Sequence, residues 1–574
     1  MAVLGTLDAQ GQVQAWVSSA DQSQLLNQGA DTQFNPGSGS SVLKINVDPA
    51  TTYQTMTGFG ASMSESSAWL ITERMNQAQR DALMTDLFDA DQGIGINYLR
   101  VPMGASDFAL SPYTYNDQPG NQPDIDQSDF SLARDDAYVV PALQAATAVN
   151  PDLLLMGTPW SPPAWMKDSG QLNGGTLLPQ YYDSYAQYFV KFVEGYEARG
   201  LNVHAITTQN EPLFEPSNYP SSGMSSAQQA AFIGDALGPA FDAAGIDTKI
   251  IAFDHNWIDW QYPVDVLNDP EANQYTAGAA FHGYAGNVDQ QSLFRNAHPD
   301  REVHYTEITG GDFAPNFGDN LLYSFTESII GATRNWATTS LYWNVALNED
   351  GGPRLFPGSD CCRGMVTIDD DTGLVTFNEE YYAYAHASKF VQRGAVRIAS
   401  DSFDNVFESV AFENPDGSRV LIGVNLGGVG RNIDVVVDGE SFTYFVPARS
   451  GVTFTWPGAV IAIEGDANGD GVVDLLDFDI LAQNFGAGPG AVGGETIGDF
   501  NADGAVNLLD FDVLAQNFGA TAPAVVPEPA SFALLLGAGW GLCGGLGRRR
   551  RPAPGSPAAR EDARRNRDTQ TTPA

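Results

Sequence analysis

Two glutamates stand where a chain most readily does chemistry. Glu211 closes the run VHAITTQNEP (203–212), and Glu307 lies in EVHYTEITGG (302–311). Both runs read as buried parallel strands that spill into a polar loop. A carboxyl group at such a strand end leaves the core and meets solvent and ligand. Two of them suggest a general acid/base and a nucleophile. Set about 5 Å apart, on opposite sides of a glycosidic bond, they are the equipment for retaining hydrolysis of that bond. One must hold a proton near neutral pH while the other stays ionised.

Something must bring the two together. Between residues 56 and 390, eight strand-like runs alternate with loops or helical patterns: 56–63, 96–104, 152–160, 203–211, 249–256, 277–284, 302–310 and 340–348. The stretch 181–200 is apolar at helical spacing, carries Arg199 late and stops at Gly200. Eight such units predict a closed (β/α)8 barrel of about 250 residues plus insertions. Glu211 then ends strand 4 and Glu307 ends strand 7, facing each other across the mouth. The flanks, 12–50 and 395–457, alternate apolar and polar residues (VQAWVSS, VLKINVD, NIDVVVD, GVTFTWP) and read as antiparallel strands. The two chain ends are expected to meet in one β-sandwich beside the barrel, which occupies 51–394. The predicted class is α/β: a TIM barrel with a side β-sandwich formed by both chain flanks, plus a small EF-hand-like helical calcium domain at 465–520.

Composition narrows the partners. The 574 residues, 43% hydrophobic, can bury a large core, and a net charge of −42 repels nucleic acid and anionic lipid. From Arg548 onward the chain holds 8 Arg against 3 acids, so the body before it is more acidic still. Of three cysteines, Cys361 and Cys362 are adjacent and Cys543 lies in an apolar stretch. No disulfide framework is expected, because adjacent cysteines bridge only with strain. Cys361 and Cys362 are read as structural.

The barrel runs carry a family resemblance. GFGASMSESSAW (58–69), LRVPMGASDF (99–108), PWSPPAWMK (159–167), TTQNEP (207–212), FHGY (281–284), YTEITGG (305–311) and YWNVALNEDGGP (342–353) occur in that order. With YYAYAHASKFVQRGAVRI (381–398) they make the chain resemble glycoside hydrolase family 30, the glucosylceramidase-like group, from about residue 16 to 456. The resemblance implies a retaining β-glycosidase with a barrel and a side β-domain. Glu211 would be the acid/base and Glu307 the nucleophile, with no cofactor for catalysis. The Glu211 pKa is expected to be raised, in part by the nearby Glu307 charge. Arg100 could hold Glu307 ionised, and Asp107 could bind sugar hydroxyls. Asn210 could bond the 2-hydroxyl. Trp160 and Trp343 could stack on a pyranose face. His282 and Tyr284 could orient Glu307 or the sugar. LNEDGGP with SDCCRGMVTIDDDTGLVTFNEEYY looks more like the glucosidase and β-1,6-glucanase branches than the xylanase branch.

Beyond the sandwich, GDANGDGVVDLLDFDILAQNFG (465–486) recurs as GDFNADGAVNLLDFDVLAQNFG (498–519). Oxygen ligands fall at EF-hand-like positions. In the first copy they are Asp466, Asn468, Asp470, Asp474 and Asp477, with the Val472 carbonyl. In the second they are Asp499, Asn501, Asp503, Asn507 and Asp510, with the Ala505 carbonyl. The repeats resemble type I dockerin modules, which implies two calcium ions and a cohesin-like protein partner. One departure is Leu475-Leu476 and Leu508-Leu509, where dockerins show polar recognition residues.

At 526–551, VPEPASFALLLGAGWGLCGGLGRRRR joins a Pro-Glu-Pro stretch, an apolar run of about 24 Å at helical rise and four arginines. It resembles the PEP-CTERM sorting signal of Gram-negative bacteria. That implies export, a transient or permanent membrane segment, a membrane sortase, and an envelope or extracellular location. MAVLGTLDAQGQVQAW does not read as a leader, so either the true start is expected upstream or Met1 is a miscalled start. Residues 552–574 read as a disordered tail. The expected substrate is a β-linked glucan or glucoside. A xylanase of the same family and a non-catalytic carbohydrate-binding scaffold stay open as alternatives.

Overall fold

The computed structural model describes residues 11–311, 313–356, 362–458, 464–468, 472–488, 497–501 and 503–519. The expected sorting segment (526–551), the tail (552–574), Asp470 and Cys361 lie outside these residues.

Eight parallel strands close into a barrel. They are β1 Gly58–Ser62, β2 Tyr98–Pro102, β3 Leu154–Thr158, β4 Val203–Thr207, β5 Lys249–Asn256, β6 Thr276–His282, β7 Glu302–Glu307 and β8 Ala337–Tyr342. Each falls in, or overlaps, one of the eight predicted runs. Successive side chains on a strand point to opposite faces, so every second residue points inward. Tyr98, Met156, Ala205, Ile251, Ala280 and Leu341 form an apolar plug inside the barrel. Two residues further along their strands come Arg100, Thr158, Thr207, His282 and Trp343. Strand periodicity therefore stacks a polar layer on an apolar one at the C-terminal mouth.

Helices cover the barrel outside. Tyr182–Glu197 buries Tyr185, Phe189, Phe192, Val193 and Tyr196, as the helical spacing predicts.

The flanks meet. Gln12–Ser19 pairs antiparallel with Ser450–Trp456, and Leu43–Thr55 pairs with Val396–Ser400 and Arg431–Val437. The eleven-stranded sheet encloses Val13, Val17, Ile45, Phe442, Phe454 and Trp456. Its other face, through Val410, Phe412 and Ile422, packs on Phe59, Leu321, Phe325 and Ile329 of the barrel. His386, on the helix Glu379–Ser388, bonds Thr453 Oγ1 at 2.8 Å and Ser18 Oγ at 2.9 Å. Burial drives its pKa down to about 3, so a neutral imidazole ties one barrel helix to both flanks.

In the repeat region, helices Leu475–Asn484 and Leu508–Asn517 are N-capped by Asp474 and Asn507. Val473, Leu481, Phe500, Val506 and Leu514 form its core. Among the described residues no helix is long and apolar enough to cross a membrane.

One expectation is corrected here. Cys362 is disulfide-bonded. Cys362 packs in the cluster of Phe108, Trp160, Trp343 and Leu347.

Candidate active site

Glu307 ends β7 and is buried at the mouth. Glu211 sits four residues past the end of β4 rather than at it. The chain reaches it through two backbone bonds, Asn210 N to the Pro159 carbonyl (2.8 Å) and Glu211 N to the Asp254 carbonyl (3.0 Å). Both ends of the second bond are left-handed, with φ +46° at Glu211 and +78° at Asp254. Such non-glycine conformations cost about 1–3 kcal/mol each and persist where surrounding structure imposes them. At Asp254 the cause is a bulge in the pairing of β5 with β6.

The two carboxyls converge. One oxygen of each, together with a ring nitrogen of His282, lies within 4.8 Å of the others. Arg100, wholly buried on β2, donates to Glu307 Oε2, to Asn210 Oδ1 (2.7 Å) and to Asp254 Oδ2 (2.9 Å). Tyr284 donates its hydroxyl to Glu307 Oε1 at 3.0 Å. His282 bridges Asp254 Oδ1 (3.0 Å) and Glu211 Oε1 (3.2 Å), and stands 3.8 Å from Glu307 Oε1. Asp254 also accepts from Thr207 and Thr306, each at 2.7 Å.

Electrostatics follow from this web. Burial alone would raise Asp254, but the Arg100 charge and the His282 hydrogen bond hold it well below the carboxylate range. Burial would likewise lower His282, but Glu307, Asp254 and Glu211 push it up to about 9. That imidazolium reverses one expectation. Burial raises Glu211, yet the His282 hydrogen bond and charge, with the Arg100 charge, leave it below its ordinary value. On Glu307 burial wins over His282 and Arg100, and its pKa is raised. The charge of one glutamate on the other is foreseeable from sequence, but the imidazolium between them is not. Carboxyls this close titrate as a pair, and a singly protonated pair carries its proton on either member. Arg100 and Tyr284 donate to the Glu307 carboxylate and His282 bonds that of Glu211, so each member of the pair has partners for its anion.

The remaining predicted residues take distinct places. Asn210 spends its amide oxygen on Arg100. Asp107 has a buried Oδ1 without a hydrogen-bond partner among the described residues. Burial and the charges of Glu307 and Glu211 drive its pKa well up, so it is suited to exchange hydrogen bonds with a neutral hydroxyl. Trp160 and Trp343 are both buried. They are 3% and 2% exposed and stack on each other at 5.1 Å, with the Arg100 guanidinium 4.9 Å from the Trp160 ring. Their faces are used in fixing Arg100.

Sequence reasoning missed Asp254, His255, Thr207 and Thr306. Asp254 and His255 end the apolar run KIIAFDHN, the same signal that exposed Glu211.

The chain belongs to glycoside hydrolase family 30. The family's TIM-barrel domain matches residues 56–391 and its β-sandwich domain residues 394–454. An endo-1,6-β-D-glucanase of Neurospora crassa is 35% identical, over 79% of this chain and 97% of that protein. The lysosomal acid glucosylceramidase of Mus musculus is 30% identical, over 70% and 80%. The solved structure of an endo-β1,6-glucanase superposes with a TM-score of 0.72 at 33% identity, covering 78% of this chain and all of that one. This family 30 chain is therefore an enzyme, a retaining β-glycosidase, and the scaffold reading falls. A xylanase catalytic domain of the family from Talaromyces cellulolyticus shares the fold at 24% identity.

Residues 464–519 match the dockerin type I domain, and the donor set suits a hard cation. Asp477, Asp499 and Asp510 are buried. Among the described residues they meet only backbone N–H groups, such as Asp474 N on Asp477 (2.8 Å) and Asn507 N on Asp510 (2.8 Å). Asp499 accepts from Asp503 N and Gly504 N, and Gly504 turns the loop at φ +83°. Buried carboxylates without a cationic side chain are the setting that calcium completes.

Proposed function

We propose that this enzyme cleaves β-1,6-linked glucan by double displacement, with Glu307 as nucleophile and Glu211 as acid/base. The observation that carries the reading is that an oxygen of each lies within 4.8 Å of the other at the barrel mouth, close enough for the short carboxyl spacing that retaining enzymes use. A Glu307 oxygen attacks the anomeric carbon as the bond to the leaving oxygen breaks. Glu211 gives its proton to that oxygen. Glu211 then takes a proton from water, whose oxygen displaces Glu307 and restores the original anomeric configuration. Arg100 and Tyr284 hold the nucleophile, while Asn210 Nδ2 and Asp107 position hydroxyls of the sugar. The choice of glucan rests on the glucanase relatives, of which this chain covers nearly the whole length.

We propose two calcium ions in the repeats, a cohesin-like partner, and export to the cell envelope or beyond through the 526–551 signal and its sortase.

Sugar released from a linear β-1,6-glucan, a β-1,4-xylan and an aryl β-glucoside decides the substrate. Activity on xylan alone overturns it. Glu307→Gly should lose turnover by at least about a thousandfold, with azide restoring glycosyl transfer. Near wild-type turnover in that variant ends the nucleophile assignment.

A further inference from the structure

A second histidine faces the acid/base. His255 Nε2 lies 3.7 Å from Glu211 Oε1, the same oxygen that His282 Nδ1 meets at 3.2 Å. His255 belongs to the β5 bulge, one residue past Asp254, whose carbonyl holds the Glu211 backbone N–H. The bulge thus sets both the glutamate's backbone and the imidazole beside its side chain. The gap is longer than a hydrogen bond. Catalytic contacts are commonly loose before substrate binds.

The tautomer follows from the other ring nitrogen. His255 Nδ1 is buried and has no hydrogen-bond partner among the described residues. A buried N–H without an acceptor is costlier and rarer than a buried lone pair without a donor. The proton therefore sits on Nε2 and points at Glu211. Charging the ring would place a second N–H at the orphaned Nδ1, so the ring stays neutral. Burial lowers its pKa, against the opposing charge of Glu211. The titratable groups facing it are Glu211, His282, Asp254 and Asp259.

We propose that His255 is a positioning residue for the acid/base: a neutral imidazole whose Nε2–H stabilises the Glu211 anion each time Glu211 gives up its proton. His282 is bound to Asp254 as well as to Glu211, whereas Nε2 of His255 meets Glu211 alone in this web. The inference rests on Glu211 as acid/base and adds a residue to that reading.

The test is the pH dependence of kcat/KM on an aryl β-glucoside, whose alkaline limb reports the acid's proton in the free enzyme. His255→Leu removes the donor and should move that limb up by about one pH unit, a tenfold change in the dissociation constant. His255→Gln places an amide N–H near the Nε2 position and should restore the wild-type limb. His255→Asn, whose amide reaches only the Nδ1 position, should behave as Leu does. Unchanged limbs in Leu and Asn, or equal shifts in all three variants, overturn the proposal. If the Leu variant does not fold, the Gln–Asn comparison decides. Glu211→Ala with azide is the control. Undiminished activity there sinks the acid/base reading itself, whereas azide rescue with unmoved His255 limbs sinks only this inference.

Discussion

Arg100 is the residue on which the site's geometry depends. Its guanidinium serves Glu307, Asn210 and Asp254 at once, a fork that a lysine cannot reproduce. Arg100→Met takes the guanidinium away from two buried carboxylates, Glu307 and Asp254. We expect a loss of about 3–5 kcal/mol in chemical denaturation and a nucleophile that is no longer held ionised. His282 makes a prediction with a definite sign. Its pKa of about 9 in the folded enzyme lies above the ~6.5 of an unfolded chain. The folded state binds the proton more tightly, so the stabilisation is complete below pH ~6.5 and is lost as pH rises through about 9. Scanning calorimetry at pH 6 and pH 9 should show the melting temperature falling, and His282→Gln should flatten that fall. Glu211 and Glu307 were legible as residue types because an acid ending an apolar run is conspicuous. The reversed order of their pKa values was not legible, since it depends on an imidazolium supplied by another strand.

At the scale of elements, the loop that follows Glu211 is braced by the loop that follows β3. Lys167, 3% exposed, donates to Ser161 Oγ (2.9 Å), the Leu172 carbonyl (2.9 Å) and the Ser221 carbonyl (2.6 Å). Gly223 N bonds the Gly175 carbonyl at 3.0 Å alongside. Burial brings the Lys167 pKa down to about 7. Lys167→Met would strand two carbonyls, at about 1–3 kcal/mol each. Hydrogen exchange should rise in 167–177 and 213–223, with KM increased more than kcat is reduced. Unchanged exchange there would refute the brace. The eight strands were visible in sequence as apolar runs. The bulge at Asp254 was not, because a bulge is a property of pairing between two strands, and either run alone reads as regular.

At the scale of the whole molecule, the chain ends carry structural weight. Ser18 from one flank and Thr453 from the other grip the same histidine on a barrel helix. The repeats have their own small core. Chelating calcium should lower helicity and speed hydrogen exchange within 464–519 while glucan hydrolysis by the barrel stays unchanged. A parallel loss of hydrolysis would place the ions in the catalytic machinery. Short-range chemistry was written in the sequence by itself: strand and helix periods, the two acids at strand ends, and repeated oxygen ligands at fixed spacing. Those depend on neighbours a few residues apart. Only the tertiary structure decided which acids meet, which histidine is charged, and that two tryptophans pack beside Arg100. These depend on distance and desolvation between residues far apart in the chain, which no local pattern encodes.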